Sequence, residues 1–347
     1  LKNIKQFIIG LVVAVLAIYF TFRNVSFGEL LDSFSDVNFL YLIPSTVLII
    51  ISFAIRGLRW KVLLSPIKEV KTTRIFSPLM IGFMGNMLPA RAGEFIRAYL
   101  LAKREDIAFT GAFASVVVER IFDTFMLMIL FCWLLLFNSH IFSSETKFSG
   151  MTLDELAFKF GVLGCAGAVI LTTFIYLMCF QKNLVARIVT WVSKILPKGW
   201  DEKIQTLIDK FNEGLDVVKD KNALIKITIY SAVVWFLVAL SYYPLYWAYD
   251  LQNKSAESVG ILLVMVCIFI AAFPTPGFVG SFHLGVSVAL HHIMGENEVV
   301  ALSYGMVVWA LNMAVVVLIG IYYILTDHLS PSQLTKMGEQ SEKEMAS

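Results

Sequence analysis

Six charged residues sit where the surrounding sequence is apolar. Arg91, Glu94 and Arg97 lie in the run G-N-M-L-P-A-R-A-G-E-F-I-R at 85–97, and Glu119, Arg120 and Asp123 lie in V-V-V-E-R-I-F-D at 116–123. A charge at the centre of a bilayer costs about 2.5–3.5 kcal/mol on insertion scales. Six of them facing lipid would cost on the order of 15–20 kcal/mol, so they must face one another or water. The spacing allows this. Arg91, Glu94 and Arg97 are three apart, Glu119 and Asp123 are four apart on one helix face, and Arg120 is three from Asp123. The expected pairing joins the arginines of the first run to Glu119 and Asp123. Two readings stay open: the pairs only hold helices together, or at least one arginine is available to an anionic ligand.

A second run, F-P-T-P-G-F-V-G-S-F-H at 273–283, breaks another apolar stretch with Pro and Gly. Broken backbone at membrane depth survives only where protein buries it or a watery cavity solvates it. Two such breaks, one in each half of a chain, mark the central site of many transporters. Proline favours the first turn of a helix, so Pro89 and Pro276 predict that the second arm of each broken segment starts near the midplane, with Thr275 as an N-cap. Two helix N-termini there would attract an anion such as phosphate, and Gly93, Gly277 and Gly280 permit close backbone approach. The candidate binding set is therefore Arg91, Glu94, Arg97, Glu119, Arg120, Asp123, Pro276, Gly277 and His283. His283 reads equally as a proton relay or phosphate donor and as a partner for a neighbouring carbonyl. His291 and His292 read as interfacial, and Asn312 as a donor to the same cavity. Arg59 and Trp60 read as an anchor at the inner interface.

The chain that must position these residues has 347 of them, 58% hydrophobic and 16% charged, with a net charge of +2. Soluble domains carry about 25% charged residues, so this is an integral membrane protein. Stretches long enough to span lie near 4–22, 38–56, 111–137, 156–180, 223–248 and 299–325. The broken segments, about 75–102 and 258–293, fall into pieces too short to span comfortably. The expected fold is all-α, with six spanning helices, two re-entrant hairpins entering from opposite sides, and an inverted-repeat character. Lys and Arg concentrate at 56–74, 103–104 and 182–221, which places those loops and both termini in the cytoplasm. Two full spans per broken segment would keep the same loop sides; the short piece at 95–102 favours re-entry. The membrane domain covers 1–329. Within it, 181–222 is amphipathic and lies either on the inner membrane surface or on the protein's own helix ends. The polar tail 330–347 reads as disordered.

Other chemistries find little support. The sequence has no G-x-x-x-x-G-K-[ST] and no G-x-S-x-G, and no cofactor, metal or nucleic-acid site is expected. Cys132, Cys165, Cys179 and Cys267 read as buried small hydrophobes. Asn24-Val25-Ser26 matches a short glycosylation acceptor pattern.

Taken together, N-x-L-P-A-R-A-G-E-F-x-R (86–97), V-V-V-E-R-I-F-D (116–123), P-T-P-G-F-V-G-S-F (274–282) and R-G-L-R-W (56–60) resemble the lysylphosphatidylglycerol synthase transmembrane, or flippase-like, family. In its multiple peptide resistance factor branch, this membrane region is joined to a soluble aminoacyltransferase domain, and the membrane part is held to flip the aminoacylated lipid. The resemblance implies a stand-alone flippase-like member of the bacterial inner membrane and not a lysyltransferase; it also admits a homodimer. Such members often carry Glu after the Gly-x-Phe of the second break, where this chain has His283. The expected function is movement of an anionic phospholipid or lipid-linked headgroup between leaflets. The alternatives are a membrane lipid-modifying transferase and a non-catalytic scaffold.

Overall fold

The computed structural model describes residues 19, 25–87, 92–137, 147–148, 151–181, 200–273 and 275–329. Arg91, Pro89, the apolar segment at 4–22 (Tyr19 apart), the amphipathic stretch near 188–196 and the tail from 330 lie outside them, as does Asn24. The described chain is helical apart from a two-residue antiparallel ribbon pairing Lys147–Phe148 (β1) with Met151–Thr152 (β2).

Helix α1, Phe27–Ser35, opens on a capping box in which Ser26 accepts from the Glu29 backbone and the Glu29 carboxylate accepts from Ser26. Ser26 therefore serves as a helix cap. A turn at Phe39–Tyr41 leads into α2, Leu42–Leu64. Together with α8 (Lys221–Ala248) and α11 (Glu298–Thr326), this segment is long and apolar enough to cross a membrane. Helices α5 (Phe109–Phe137) and α6 (Leu153–Phe180) are of similar length, 29 and 28 residues, and reach about 42–44 Å at 1.5 Å per residue. Helix α2 runs well beyond the sequence-based end at 56, which carries Arg56 and Arg59 into the body of the protein.

The two broken segments form helix pairs. In the first, α3 (Thr72–Gly85, 14 residues) packs against α4 (Gly93–Glu105, 13 residues). In the second, α9 (Ala256–Ala272, 17 residues) packs against α10 (Ser281–Ser287), which continues as a π-helical turn at Val288–Ile293. None of these arms matches a hydrocarbon core of about 30 Å. The first pair closes because Gly93 has no side chain: a Cβ there would lie 1.9 Å from the Gly82 carbonyl oxygen. A buried carboxylate ties the loops beside the second pair, where Glu296 accepts from the Gln252 backbone at 2.8 Å. At the end of α11, Asp327 accepts from Ser77 of α3 and pairs with Arg104 of α4 at 2.9 Å.

The second break departs from expectation. Thr275 does not cap a helix beginning at Pro276; its hydroxyl bonds the Ser281 hydroxyl at 2.9 Å. Residues Pro276–Phe278 form a single tight turn, with Gly277 at φ 60° and Gly280 at φ 83°, and the helix resumes at Ser281. The left-handed backbone at Gly277, which glycine adopts freely, and at Phe278 after it (φ 62°) halts propagation.

The apolar interior has two main parts. One gathers Trp60, Leu64, Ile75, Leu79 and Leu101 around the first helix pair, and the other gathers Leu262, Val266, Phe282, Val286 and Tyr304 around the second. Helix α7, Trp200–Leu215, packs on α5 and buries Leu215 and, just beyond it, Val217. For this part of the 181–222 connection, the packing face is the protein's own helices. Cys132 and Cys165 are exposed and Cys267 is half-buried, against the expectation of burial. A small apolar side chain gains nothing by hiding when the surroundings are hydrocarbon. The Cys179 side chain lies outside the described set.

Gly93→Ala is expected to lower the unfolding temperature of the detergent-solubilised protein by the equivalent of about 1–3 kcal/mol or more, as overpacking does. Gly167→Ala, whose added Cβ meets nothing within 4 Å, should be neutral. Equal unfolding temperatures for the two variants would refute the close approach of α3 and α4.

Candidate charged site between the helix pairs

Helix α5 supplies the acceptors. Glu119 and Asp123, one turn apart, present their carboxylates to the same side. Three guanidinium groups converge on Glu119. Arg97 of α4 reaches both oxygens at 3.2 Å, Arg59 of α2 lies 3.1 Å away, and Arg120 makes a short contact from the next position. Asp123 binds Arg59 at 2.6 Å and Arg120 at 2.9 Å, and also accepts from the Trp235 indole of α8 at 3.2 Å. Arg59 completes its fork by donating to Ser231 of α8 at 3.0 Å. Glu94, at the start of α4, lies 3.6 Å from Arg120. Four helices are thereby joined by one network.

Exposure divides the network. Arg59 and Glu119 are 0% exposed and Arg97 2%, whereas the side chains of Arg120 and Glu94 are 35% and 30% exposed. The buried members are held further by their surroundings. Arg97 lies over the Trp60 ring at 5.2 Å, and Trp60 donates to Ser115 at 2.9 Å. The open members line a small recess with Gly82, Phe83, Asn86, Gly93 and Arg97. Its free volume is about 10 Å³, the least that holds a water molecule.

The second helix pair reaches this recess through its tip. The Gly277 amide donates to the Asn86 carbonyl at 3.4 Å, and the Gly277 carbonyl accepts from the Trp309 indole of α11 at 2.8 Å. The two sequence breaks thus meet, and the left-handed turn has its polar groups satisfied. A family model described as the lysylphosphatidylglycerol synthase TM region matches residues 7–320. The chain belongs to that family. It is 23% identical over 279 residues to a UPF0104 membrane protein of Methanothermobacter thermautotrophicus, covering 76% of each chain. It is 26% identical over 245 residues to one of Methanocaldococcus jannaschii, covering 68% of this chain and 69% of that one. A stretch of 116 residues is 30% identical to a protein of Haloferax volcanii named glycosyltransferase AglD; it spans 33% of this chain and 19% of that protein. No solved structure matches.

Within this lysylphosphatidylglycerol synthase-type membrane region, five of the nine sequence candidates come together: Glu94, Arg97, Glu119, Arg120 and Asp123. The predicted pairing of Arg97 with Glu119 is present. Asp123, expected to pair with an arginine of the first broken segment, instead takes Arg59 and Arg120 among the described residues. Arg91 lies outside them. Pro276 and Gly277 sit at the second tip, beside Asn86. His283 is buried, with its ring 5.8 Å from that of Trp309, and is not a wall of the recess. Asn312 donates back to Val308 of its own helix at 2.9 Å and not into the cavity. His291 is fixed by the Glu296 backbone carbonyl at 2.7 Å.

The largest correction concerns Arg59 and Trp60. Both are fully buried at the centre of the network, not at the interface. The signal was present: Arg56 and Arg59 are three apart and continue the helical phase of an apolar span, so they share a face with it. Arg56 joins this region without a carboxylate of its own among the described residues, its guanidinium lying over Phe53 at 5.8 Å and Phe83 at 5.4 Å. Ring faces return about 0.5–2 kcal/mol to a cation, less than the 2.5–3.5 kcal/mol that insertion scales assign to an arginine at depth.

Removing one partner of a buried pair costs about 3–5 kcal/mol, because the other charge is left uncompensated. Arg59→Ala should therefore destabilise the protein by about that amount. Asp123→Ala should cost less in the Arg59→Ala background than alone, with a coupling of about 1–3 kcal/mol. Denaturation of the four proteins of this cycle measures it; additive effects would contradict the network.

Proposed function

We propose that this protein moves an anionic phospholipid, or a lipid-linked headgroup, from one leaflet to the other. The observation that carries the reading is the place where the two short helix pairs meet. Gly277 touches Asn86 at the wall of a recess whose other walls include the half-open Glu94 and Arg120. Charge at membrane depth is expensive, and a network built for stability alone would seal all of its members. Here the members that share a recess with Asn86, the contact of the second pair, are left accessible.

In this reading the two pairs are re-entrant hairpins. The first enters from the cytoplasmic side, where Lys68 and Arg74 gather around Glu105; the second enters from outside, beside the cation-free loop at 295–298. Both termini are cytoplasmic, and the membrane is the cell membrane. The recess is too small for a phosphate, so the tips separate during transport. Their backbone bond among the described residues is long, at 3.4 Å, and on separation the headgroup or water takes over its two polar groups. The headgroup then crosses along Glu94 and Arg120 while its tails stay in lipid. Arg59, Arg97, Glu119 and Asp123 hold the walls, and His283 supports the second tip through Trp309.

A transferase acting on a membrane lipid is the second reading, favoured by the stretch shared with a protein named as a glycosyltransferase. Mass spectrometry of a lipid extract incubated with the pure protein decides it: a covalently altered lipid supports the transferase.

For transport, the purified chain is reconstituted into liposomes carrying a fluorescent phosphatidylglycerol whose outer-leaflet signal is quenched chemically. Glu94→Gln and Arg120→Gln should each slow translocation at least tenfold. Glu94→Gln, at a half-open pair, should do so with an unfolding temperature within a few degrees of the parent. Arg120→Gln, which strips a partner from the buried Glu119 and Asp123, should also unfold earlier. Full-rate translocation by both variants would reject the proposed path.

A further inference from the structure

Arg56 differs from the other arginines at this depth. Arg59, Arg97 and Arg120 are each held by Glu119, Asp123 or Glu94. Those three cations and three anions balance, and Arg56 is surplus to them. One turn before Arg59 on α2, it has no ion pair among the described residues, and its Nε is buried without an acceptor. The side chain as a whole is not sealed; it is partly exposed. The two rings beneath it belong to α2 and to α3 of the first helix pair, so the guanidinium sits against that pair. Phe83, one of its two aromatic supports, is also a wall of the recess that holds Glu94 and Arg120.

We propose that Arg56 is an anion-binding residue, taking a phosphate-type oxyanion on the side of Phe83 that faces the interior. Phe53 and Phe83 orient the planar fork, leaving its outer donors for two oxygens of one phosphate. Arg59 and Arg97 cannot serve in this way, because each is sealed and would have to give up a buried carboxylate first. The inference deepens the transport reading, on which it rests for the lipid; a cation with no ion pair among the described residues is the separate ground for the anion.

The test uses the full chain in a neutral detergent and follows its unfolding temperature during titration. Three probes are compared: phosphatidylglycerol, zwitterionic phosphatidylcholine and inorganic phosphate. A ligand that binds the folded state raises the midpoint in proportion to the logarithm of its saturation. Phosphatidylglycerol should raise the parent's midpoint. Arg56→Gln should need at least tenfold more of it for the same rise, and Arg56→Lys should fall between. Without ligand, Arg56→Gln should be at least as stable as the parent, since no buried pair is broken. A matching rise with millimolar phosphate assigns the site to the phosphate group itself, and a rise with phosphatidylglycerol alone assigns it to the lipid.

The inference is overturned if Arg56→Gln keeps the parent's full response to both anions. It is equally overturned if ligand-free Arg56→Gln is as unstable as Arg59→Ala, which would make Arg56 structural. An unchanged response in Arg56→Gln leaves the transport reading standing without this site. Full-rate translocation by Glu94→Gln and Arg120→Gln removes that reading and leaves the anion site.

Discussion

One carboxylate organises the membrane interior. Glu119 is fully buried and receives three guanidinium groups, from α2, from α4 and from its own helix. A single ion pair could not keep such a charge at depth. Desolvation of a carboxylate costs several kcal/mol even after relaxation, and is repaid only when geometry is good and the remaining lone pairs are filled. Glu119 meets that condition by sharing. Each of its arginines has a second duty: Arg59 to Asp123 and Ser231, Arg120 to Asp123 and Glu94, Arg97 to the Trp60 face. The placement of α2, α4, α5 and α8 follows from these duties, since none of the four can shift by a turn without stranding a charge.

The broken backbone obeys a parallel constraint. In hydrocarbon, unsatisfied peptide groups are as costly as stray charges. At the second break the amide and carbonyl of Gly277 are taken by Asn86 and Trp309, partners on two other elements. The tip of the second helix pair is thereby anchored to the end of α3, which also packs on α4 and its Arg97. Polar satisfaction of a turn and charge compensation of a helix become one problem with one solution, located where the sequence is least apolar.

Much of this was legible in the residues. The five long helices among the described residues lie where apolar stretches of sufficient length predict them, and the four short arms lie where Pro and Gly interrupt such stretches. Spacing places Glu119 and Asp123 on one face, and the cost of charge in lipid predicts that arginines of the first break meet them, as Arg97 meets Glu119. What failed did so for identifiable reasons. Ending the second span at 56 treated arginine as a sign of the interface, although an arginine with buried partners is as much at home inside. Thr275 has the chemistry of a cap, but a cap needs the helix to begin directly after it, and Gly277 in a left-handed conformation prevents that. Asn312 is polar, but polarity alone does not aim a side chain, and on a helix its amide can share the carbonyl four residues back. Membrane cysteines were judged by rules for water-soluble cores, where exposure has a meaning that it lacks in lipid.

The division of the arginines carries the last step. A guanidinium that must help to fold the protein cannot also be offered freely to a ligand, because each state would need the same donors. Arg59 and Arg97 have given theirs to carboxylates under full burial. Arg120 is committed but reachable, and Arg56 is uncommitted among the described residues. Ordered this way, the cations grade from structural to available across one turn of α2 and along α5, toward the recess where the two helix pairs touch. Recognition of an anion at Arg56, as proposed, then requires no rearrangement of the network that holds the helices. In the proposed transport, the network stays neutral and intact while the tips beside it move.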